Sequence, residues 1–378
     1  MGSARFLGVW LDWKLSWRAH CQAVERKLRT QDFALSRIAA KTWGPSLARA
    51  REVYTKCIRS AIAYGASSYH QPTAPGGTSK PTGPVKTLSK AQNRSLRIVV
   101  GAYKTAPTRC LETEAWVPPL DLYLNKRLAD FEGRLQERVL HTGEGPEAEK
   151  ATAGHLITEA CNRVSQRFRR RRRGRGQRPR QGPQNPTPTE QAAITVAQWA
   201  SQRWPIGEKR GKKLKTEEVV ELAWQDRWEN QRAGRPKSRI ADEDPPILLF
   251  TNRALRRHEG LTKAQSTLLS QARIGDIGLR DYLFKVKVPE VRTPYCECGE
   301  GRDTVEHLVV WCPDPPLQRP WDYREIRSHR DLQTVLRGVG ARSRRLVRRV
   351  LGWLMDSGRL LEYSLARRLE LETVEGEG

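Results

Sequence analysis

The sequence predicts a mainly α-helical protein that opens with a short β hairpin and has a small zinc knuckle in its C-terminal part. Three observations support this fold class. Apolar residues recur at helical spacing through much of the chain. The first residues are instead apolar, β-prone and interrupted by a glycine. Three of the seven cysteines lie close together near a histidine.

The N-terminal part reads as a hairpin followed by helices. Residues 3–13, with Gly8 and Asp12 as turn residues, predict a short strand or hairpin. Helical spacing then appears in four stretches, which are 16–40, 47–66, 85–100 and 120–140. A loop rich in Pro, Gly and Thr, residues 71–84, separates the second stretch from the third. We therefore predict one helical domain over residues 1–140.

A basic, partly disordered linker is predicted over residues 141–245. Residues 167–189 are of low complexity, because arginine alternates there with proline, glycine and glutamine. Clustered arginines repel one another and proline interrupts regular structure, so this part is expected to be disordered. Helical spacing returns at 190–204 and 216–228.

The last predicted domain covers residues 246–373 and is again helical. Its helices are expected at 262–273, at 332–337 and at 343–371, the last one interrupted by Gly358. The cysteine and histidine cluster, residues 296–312, lies between the first two of these helices. It is expected to form the zinc knuckle.

The charge of the chain points to a polyanionic partner. Lysine and arginine number 68 against 42 acidic residues, which gives a net charge of +26. Residues 161–215 alone hold 16 basic and two acidic residues. Such an excess favours RNA or DNA. An anionic membrane and the absence of any specific partner are the alternatives. No run of about 18 apolar residues exists for a membrane span, so no membrane partner is predicted.

The cysteines predict an intracellular protein with one metal site. Seven cysteines cannot all pair, and four of them are scattered. The others form a Cys-x-Cys…His-x4-Cys pattern whose proposed ligands are Cys296, Cys298, His307 and Cys312. Three thiolates and one imidazole are a closed, structural zinc set, so one structural ion is expected. Three ordinary reduced cysteines and a surface histidine are the alternative.

The arginine run is the main candidate for binding nucleic acid. Guanidinium groups fork onto phosphate oxygens and stack on unpaired bases. An import signal or a plain solvated linker would have the same composition. The candidate residues are Arg167, Arg169, Arg170, Arg171, Arg172, Arg173, Arg175, Arg178 and Arg180.

Aromatic and basic residues also alternate at the start of the chain. Trp10, Lys14 and Trp17 are candidate nucleic-acid contacts there, because aromatic rings stack on bases while cations hold the backbone. Tryptophans at this spacing more often pack in a core or between subdomains.

No catalytic signature is found in the sequence. Two adjacent aspartates after an aromatic residue, which would hold magnesium for phosphoryl transfer, do not occur, and Asp12 stands alone. Nucleophile-elbow, P-loop and zinc-protease motifs do not occur either. We therefore predict no catalytic residue, no magnesium site and no small-molecule substrate. The oligomeric state is not predicted.

Ordered motifs occur in two parts of the chain. They are FLGVWLD at 6–12, KLSW at 14–17, GAYKTxP at 101–107, GLTKA at 260–264 and the knuckle at 296–312. Together they resemble reverse transcriptases of non-LTR retrotransposons, the long interspersed elements. The N-terminal part is similar to the segment after the catalytic palm and the start of the thumb. The C-terminal part is similar to the tails of these elements, especially the fungal type, where a one-residue gap between the first two knuckle cysteines is normal.

The resemblance implies a thumb joined to a tail that binds template RNA or target DNA. The family's active site lies upstream of Phe6, so the chain is expected to lack the palm, and also the endonuclease and ribonuclease H domains. We predict a nucleic-acid-binding fragment in the nucleus. One alternative is an incomplete piece of an active RNA-directed DNA polymerase. A second alternative is an inert retroelement relic.

Overall fold

The computed structural model describes residues 2–70, 83–141, 216–232, 239–244 and 253–376. The described chain is mainly helical and has one two-stranded antiparallel sheet, which confirms the predicted fold class. The arginine run and the helix predicted at 190–204 lie outside the described residues. The predicted domain limits at 140 and 245 stay a prediction.

The elements follow one another in this order. Strands β1 (Ser3–Phe6) and β2 (Val9–Asp12) precede α1 (Arg18–Ile38), α2 (Leu47–Val53), a π turn (Tyr54–Ile58), α3 (Arg59–Ala63) and α4 (Ala66–Tyr69). Then come α5 (Gly83–Val100), α6 (Thr108–Ala115), α7 (Leu120–His141), α8 (Thr216–Arg232), α9 (Ile240–Glu243) and α10 (Arg253–Arg256). The last elements are α11 (Lys263–Ile274), α12 (Arg280–Lys285), a second π turn (His307–Trp311), α13 (His329–Arg337), α14 (Gly340–Asp356) and α15 (Leu361–Gly376).

The opening hairpin forms as its sequence predicts. Its register pairs Arg5 with Trp10 and Phe6 with Val9. Leu7 and Gly8 between the strands both have positive φ, at 44° and 83°. Two such residues make the tight turn whose twist matches that of antiparallel strands.

The described chain divides into two units. Unit 1 contains the described residues within Met1–Thr30, Arg59–Gln92 and Pro118–Asn230. Within it, α4 packs against α7, and His70 Nε2 lies 2.7 Å from Asn125 Oδ1. The Arg227 guanidinium of α8 donates two hydrogen bonds to the Asp121 carboxylate of α7, at 2.8 and 2.7 Å. The contact between Arg227 and Asp121 fixes α8 on α7.

Unit 2 contains the described residues within Gln31–Ile58, Asn93–Val117 and Gln231–Gly378, and it is organised around α11. Every residue of α11 except Gln265 is buried, and the helix packs against α2, α9 and α14. Thr262 and Gln265 form a capping box at its N terminus. Gly275, with φ of 79°, ends the helix. A helix buried on all sides has no polar face, so its polar side chains need partners inside the protein.

A buried ionic network supplies the partner of Arg273, which has no exposed surface. Its Nε donates to Glu114 Oε1 at 2.9 Å, and its Nη2 donates to the Asp244 carboxylate. Arg257 lies 3.3 Å from Glu114 and 3.4 Å from Asp244. Burial alone would raise the pKa of Glu114, but the charges of Arg273 and Arg257 hold that pKa well below its usual range.

Two side chains of α11 complete the C-terminal end of α5. Lys263 Nζ donates to the Val99 carbonyl at 2.8 Å, and Gln271 Nε2 donates to the Gly101 carbonyl at 2.9 Å. The last carbonyls of a helix have no partner within the helix, so these bonds satisfy groups that would otherwise be buried unpaired. Burial lowers the pKa of Lys263 to about 8.

The buried amine of Lys263 should make stability depend on pH in the alkaline range. Its pKa of about 8 is below the ordinary 10.5, so the unfolded chain holds more protons between these values. The free energy of unfolding should therefore rise with pH there, by about 3 kcal/mol relative to Lys263→Met. Urea unfolding of both proteins from pH 7 to pH 10.5 measures the difference. Parallel pH profiles would contradict the assigned pKa.

The structure departs from the sequence prediction at several helices. The stretch 343–371 is two helices, α14 and α15, because Gly358 adopts φ of 71° between them. The stretch 47–66 is likewise divided, with the first π turn at its centre. Helices α6 and α12 were not predicted at all, since each has eight or fewer residues. Short segments show too little periodicity to be recognised.

Candidate metal centre

The first two cysteines of the predicted site lie on a tight turn of the backbone. Tyr295 and Arg302 form a β bridge at its base. The Cys296 amide donates to the Gly301 carbonyl at 2.8 Å, and the Gly299 amide donates to the Cys296 carbonyl at 3.0 Å. Gly299 has φ of 77°, which favours glycine. The turn directs the side chains of both cysteines into the same space.

The second pair of ligands lies at the ends of the second π turn. Thr304 Oγ1 accepts a hydrogen bond of 3.1 Å from the His307 amide, which fixes the start of the turn. The Cys312 amide donates to the His307 carbonyl at 2.6 Å. The wider π turn therefore places residues five apart in sequence next to each other, as the x4 spacing requires.

The four ligand atoms converge. All of them lie within 4.8 Å of one another. Cys296 Sγ is 3.8 Å from Cys312 Sγ, and Cys298 Sγ is 3.2 Å from His307 Nε2. The sulfur–sulfur distance is far beyond the roughly 2.05 Å of a disulfide. Cys296, Cys298, His307 and Cys312 thus form a cluster that can hold one metal ion.

The thiols of the cluster differ in the direction of their pKa shifts. Burial raises the pKa of the Cys312 thiol to about 12. The Cys298 thiol is more exposed, and a hydrogen bond from the Glu300 backbone lowers its pKa. A metal ion would supply the positive charge that a buried thiolate needs, and metal binding releases the thiol protons.

Neighbouring residues hold the cluster in shape. Arg319 donates to the Leu308 carbonyl at 2.9 Å and to the Cys312 carbonyl at 2.7 Å, so its guanidinium fixes the end of the π turn. A Cβ atom on Gly301 would collide with the His307 ring. Neither role was predicted, because Arg319 lies beyond the cysteine motif and Gly301 resembles any turn glycine. Only the ligand types and their spacing identified the site.

The three candidate nucleic-acid contacts of the opening segment have different surroundings in the structure. Trp10 lies on β2, and its amide donates to His20 Nδ1 at 3.5 Å. Trp17 is half-buried in a left-handed conformation before α1. Lys14 is exposed, and its Nζ lies 4.7 Å from the centre of the Trp13 ring. The predicted roles of Trp10, Lys14 and Trp17 in binding stay predictions.

Comparison with known proteins identifies no relative. The chain matches no protein-family model, no curated protein and no solved structure. In the part that the structure describes, no helix is both long enough and apolar enough to cross a membrane. The function therefore has to be inferred from the charge, the motifs and the side-chain geometry of the chain.

Proposed function

We propose that this chain binds RNA or DNA, as the thumb and tail of a non-LTR retrotransposon reverse transcriptase. The observation that carries the proposal is the basic segment 161–215, which holds 16 basic and two acidic residues upstream of a Cys3His cluster. The ordered motifs at 6–17, 101–107 and 260–264 support the assignment to this family. Polymerisation would require paired aspartates, and the sequence has no adjacent pair.

The proposed metal is a single structural zinc ion. In a tetrahedral site with zinc–sulfur bonds of about 2.3 Å, two thiolates lie roughly 3.8 Å apart. The distance between the sulfurs of Cys296 and Cys312 is 3.8 Å. Three soft thiolates and one imidazole favour zinc over magnesium or calcium. With four protein ligands, the ion would have no open position for a substrate, so its role is to hold the knuckle together.

Binding is proposed to be tolerant of sequence. The arginines of residues 167–180 would fork onto phosphate oxygens, which carry no base identity. The tryptophans and Lys14 of the opening segment would stack on bases and hold the backbone. A protein of this kind would act in the nucleus, and the same arginine run would serve as an import signal.

Deleting residues 167–180 tests the proposal. The segment contains nine arginines. Each phosphate contact contributes about 0.7 to the slope of log affinity against log salt for a single strand, so the slope should fall by up to about 6. Fluorescence anisotropy with a labelled single-stranded RNA over a salt series measures it. The matched control replaces the nine arginines with lysines and should keep most of the slope. An unchanged slope in the deletion would refute this role.

The polymerase alternative has a separate test. Sequencing the transcript through its 5′ end would show whether an in-frame palm with adjacent aspartates precedes Met1. Such a palm would make the chain part of a working RNA-directed DNA polymerase. Stop codons upstream would leave nucleic-acid binding as the proposed activity of the chain.

A further inference from the structure

The N-terminal half of α14 has one strongly basic face. Its core side is apolar and fully buried through Leu346, Val347, Val350 and Leu351. Five of the remaining positions up to residue 349 are arginine. We call these five residues the α14 arginine face; they are Arg342, Arg344, Arg345, Arg348 and Arg349. Their spacing of three and four residues places them along the same exposed side.

Acidic neighbours neutralise only part of this charge. Arg344 Nη1 lies 3.1 Å from Glu259, and Arg349 Nη2 lies 2.8 Å from Glu325. Arg342 and Arg345 are exposed and have no ion-pair partner among the described residues. Five guanidinium groups therefore face two carboxylates. The pairs themselves are exposed and weak, so an incoming anion can displace them.

The arginines also surround an open cavity on the surface. Its lining consists of Glu259, Gly260, Ala341 and three members of the arginine face, Arg344, Arg345 and Arg348. The Arg348 guanidinium occupies the space that a Cβ atom on Gly260 would fill. The cavity therefore contains three guanidinium groups and one carboxylate, Glu259, which already pairs with Arg344. A phosphate group that entered it would contact more than one guanidinium group.

We propose that the α14 arginine face binds the phosphodiester backbone of a nucleic acid, as a second contact independent of residues 167–180. The inference rests on the proposed function and extends it to a named surface. From Arg342 to Arg349 the helix rises about 10 Å. This length lets the arginines contact several phosphates along one strand.

The chemistry of the face separates a phosphate backbone from other anionic partners. Residues 340–349 contain no aromatic side chain that could stack on a base, so the contact is to the backbone and is independent of sequence. An amphipathic helix that binds a membrane inserts its apolar side into the lipid. The apolar side of α14 is already buried against α11 and α13. This helix has no free apolar side for a bilayer.

The test is the triple variant R342Q/R345Q/R348Q in the full chain. The probe is a labelled oligouridine RNA of about 20 nucleotides, with affinity measured by anisotropy over a salt series. Loss of three phosphate contacts should lower the salt slope by about 2 and weaken binding roughly 50-fold at about 0.15 M salt. The matched control, R37Q/R49Q/K56Q, removes three exposed charges elsewhere in unit 2 and should bind within about three-fold of wild type.

The outcomes distinguish this inference from the proposed function. If the wild type binds RNA and the triple variant binds equally well, the inference is overturned and the proposed function stands. An equal loss in both triple variants would also overturn it, because bulk charge would then explain the effect. If the wild type binds no RNA, both fail. A triple variant that keeps RNA binding but loses binding to phosphatidylserine vesicles would assign the face to membranes instead.

Discussion

Replacing Cys312 with serine should remove the metal and destabilise unit 2. The purified wild type is expected to hold one zinc ion per chain, and the variant none. Cys312 is buried and lies next to Cys296, so a serine there leaves a hydroxyl group that cannot serve as a soft ligand. Structural zinc contributes on the order of 10 kcal/mol in isolated fingers. Unit 2 also has a large apolar core that does not depend on the metal. We therefore expect a smaller loss in the free energy of unfolding than in an isolated finger, of at least about 3 kcal/mol.

Metal analysis and urea unfolding provide the measurements, and Cys57→Ser is the matched control. Cys57 is an exposed cysteine of unit 2 that lies outside the cluster. The control should keep its zinc and its unfolding midpoint. A chelator should lower the midpoint of the wild type and of the control to that of Cys312→Ser, and should leave that variant unchanged. Full zinc occupancy in Cys312→Ser would show that the ion is held elsewhere.

Replacing Glu114 with glutamine should lower the free energy of unfolding by about 3–5 kcal/mol, the range found when one partner of a buried ion pair is removed. Glu114 is almost completely buried and faces Arg273 and Arg257. Without its charge, Asp244 alone would have to balance both guanidinium groups, although it already accepts from Arg337 Nε at 3.0 Å. Leaving a buried charge without its partner costs much more than the intact pair contributes, because the desolvation of the charge is no longer compensated.

The matched control for this prediction is Glu52→Gln, also in unit 2. Glu52 pairs with Arg49 and Lys56 on the surface, where solvent screens ion pairs, so its replacement should leave stability almost unchanged. Urea midpoints at neutral pH compare the two variants. The depressed pKa of Glu114 adds a second readout. Its stabilisation is present above the usual glutamate pKa and is lost as pH falls below it, so Glu114→Gln should flatten the acid side of the stability profile. Equal costs for the two variants would contradict the network.

Local sequence patterns predicted the parts of the fold that depend on local physics. The hairpin follows from β-prone residues around Gly8, and helices α1, α5, α7 and α11 follow from apolar spacing. The metal cluster could be predicted because all four ligands lie in one short segment, where their residue types and spacing are visible in the sequence. Each of these features involves residues that are close in sequence.

The ionic network could not be predicted in the same way. Glu114 and Arg273 are separated by 159 residues, and nothing in the sequence around either one indicates a buried partner. Lys263 reads as a surface lysine at a helix start, yet it is buried against the end of α5. Charged residues are usually exposed, so a sequence pattern assigns them to solvent. Only the packing of distant segments shows that they are inside.

Unit 2 is built from segments that are far apart in sequence, and this affects its folding during synthesis on the ribosome. Residues 93–117 emerge with Glu114 long before Arg273 is translated. At about 5–20 residues per second, a separation of 159 residues corresponds to a wait of roughly 10–30 s. During that interval Glu114 of α6 has no partner from α11. The nascent chain is therefore exposed to aggregation and to chaperones until the last third of the sequence has been made.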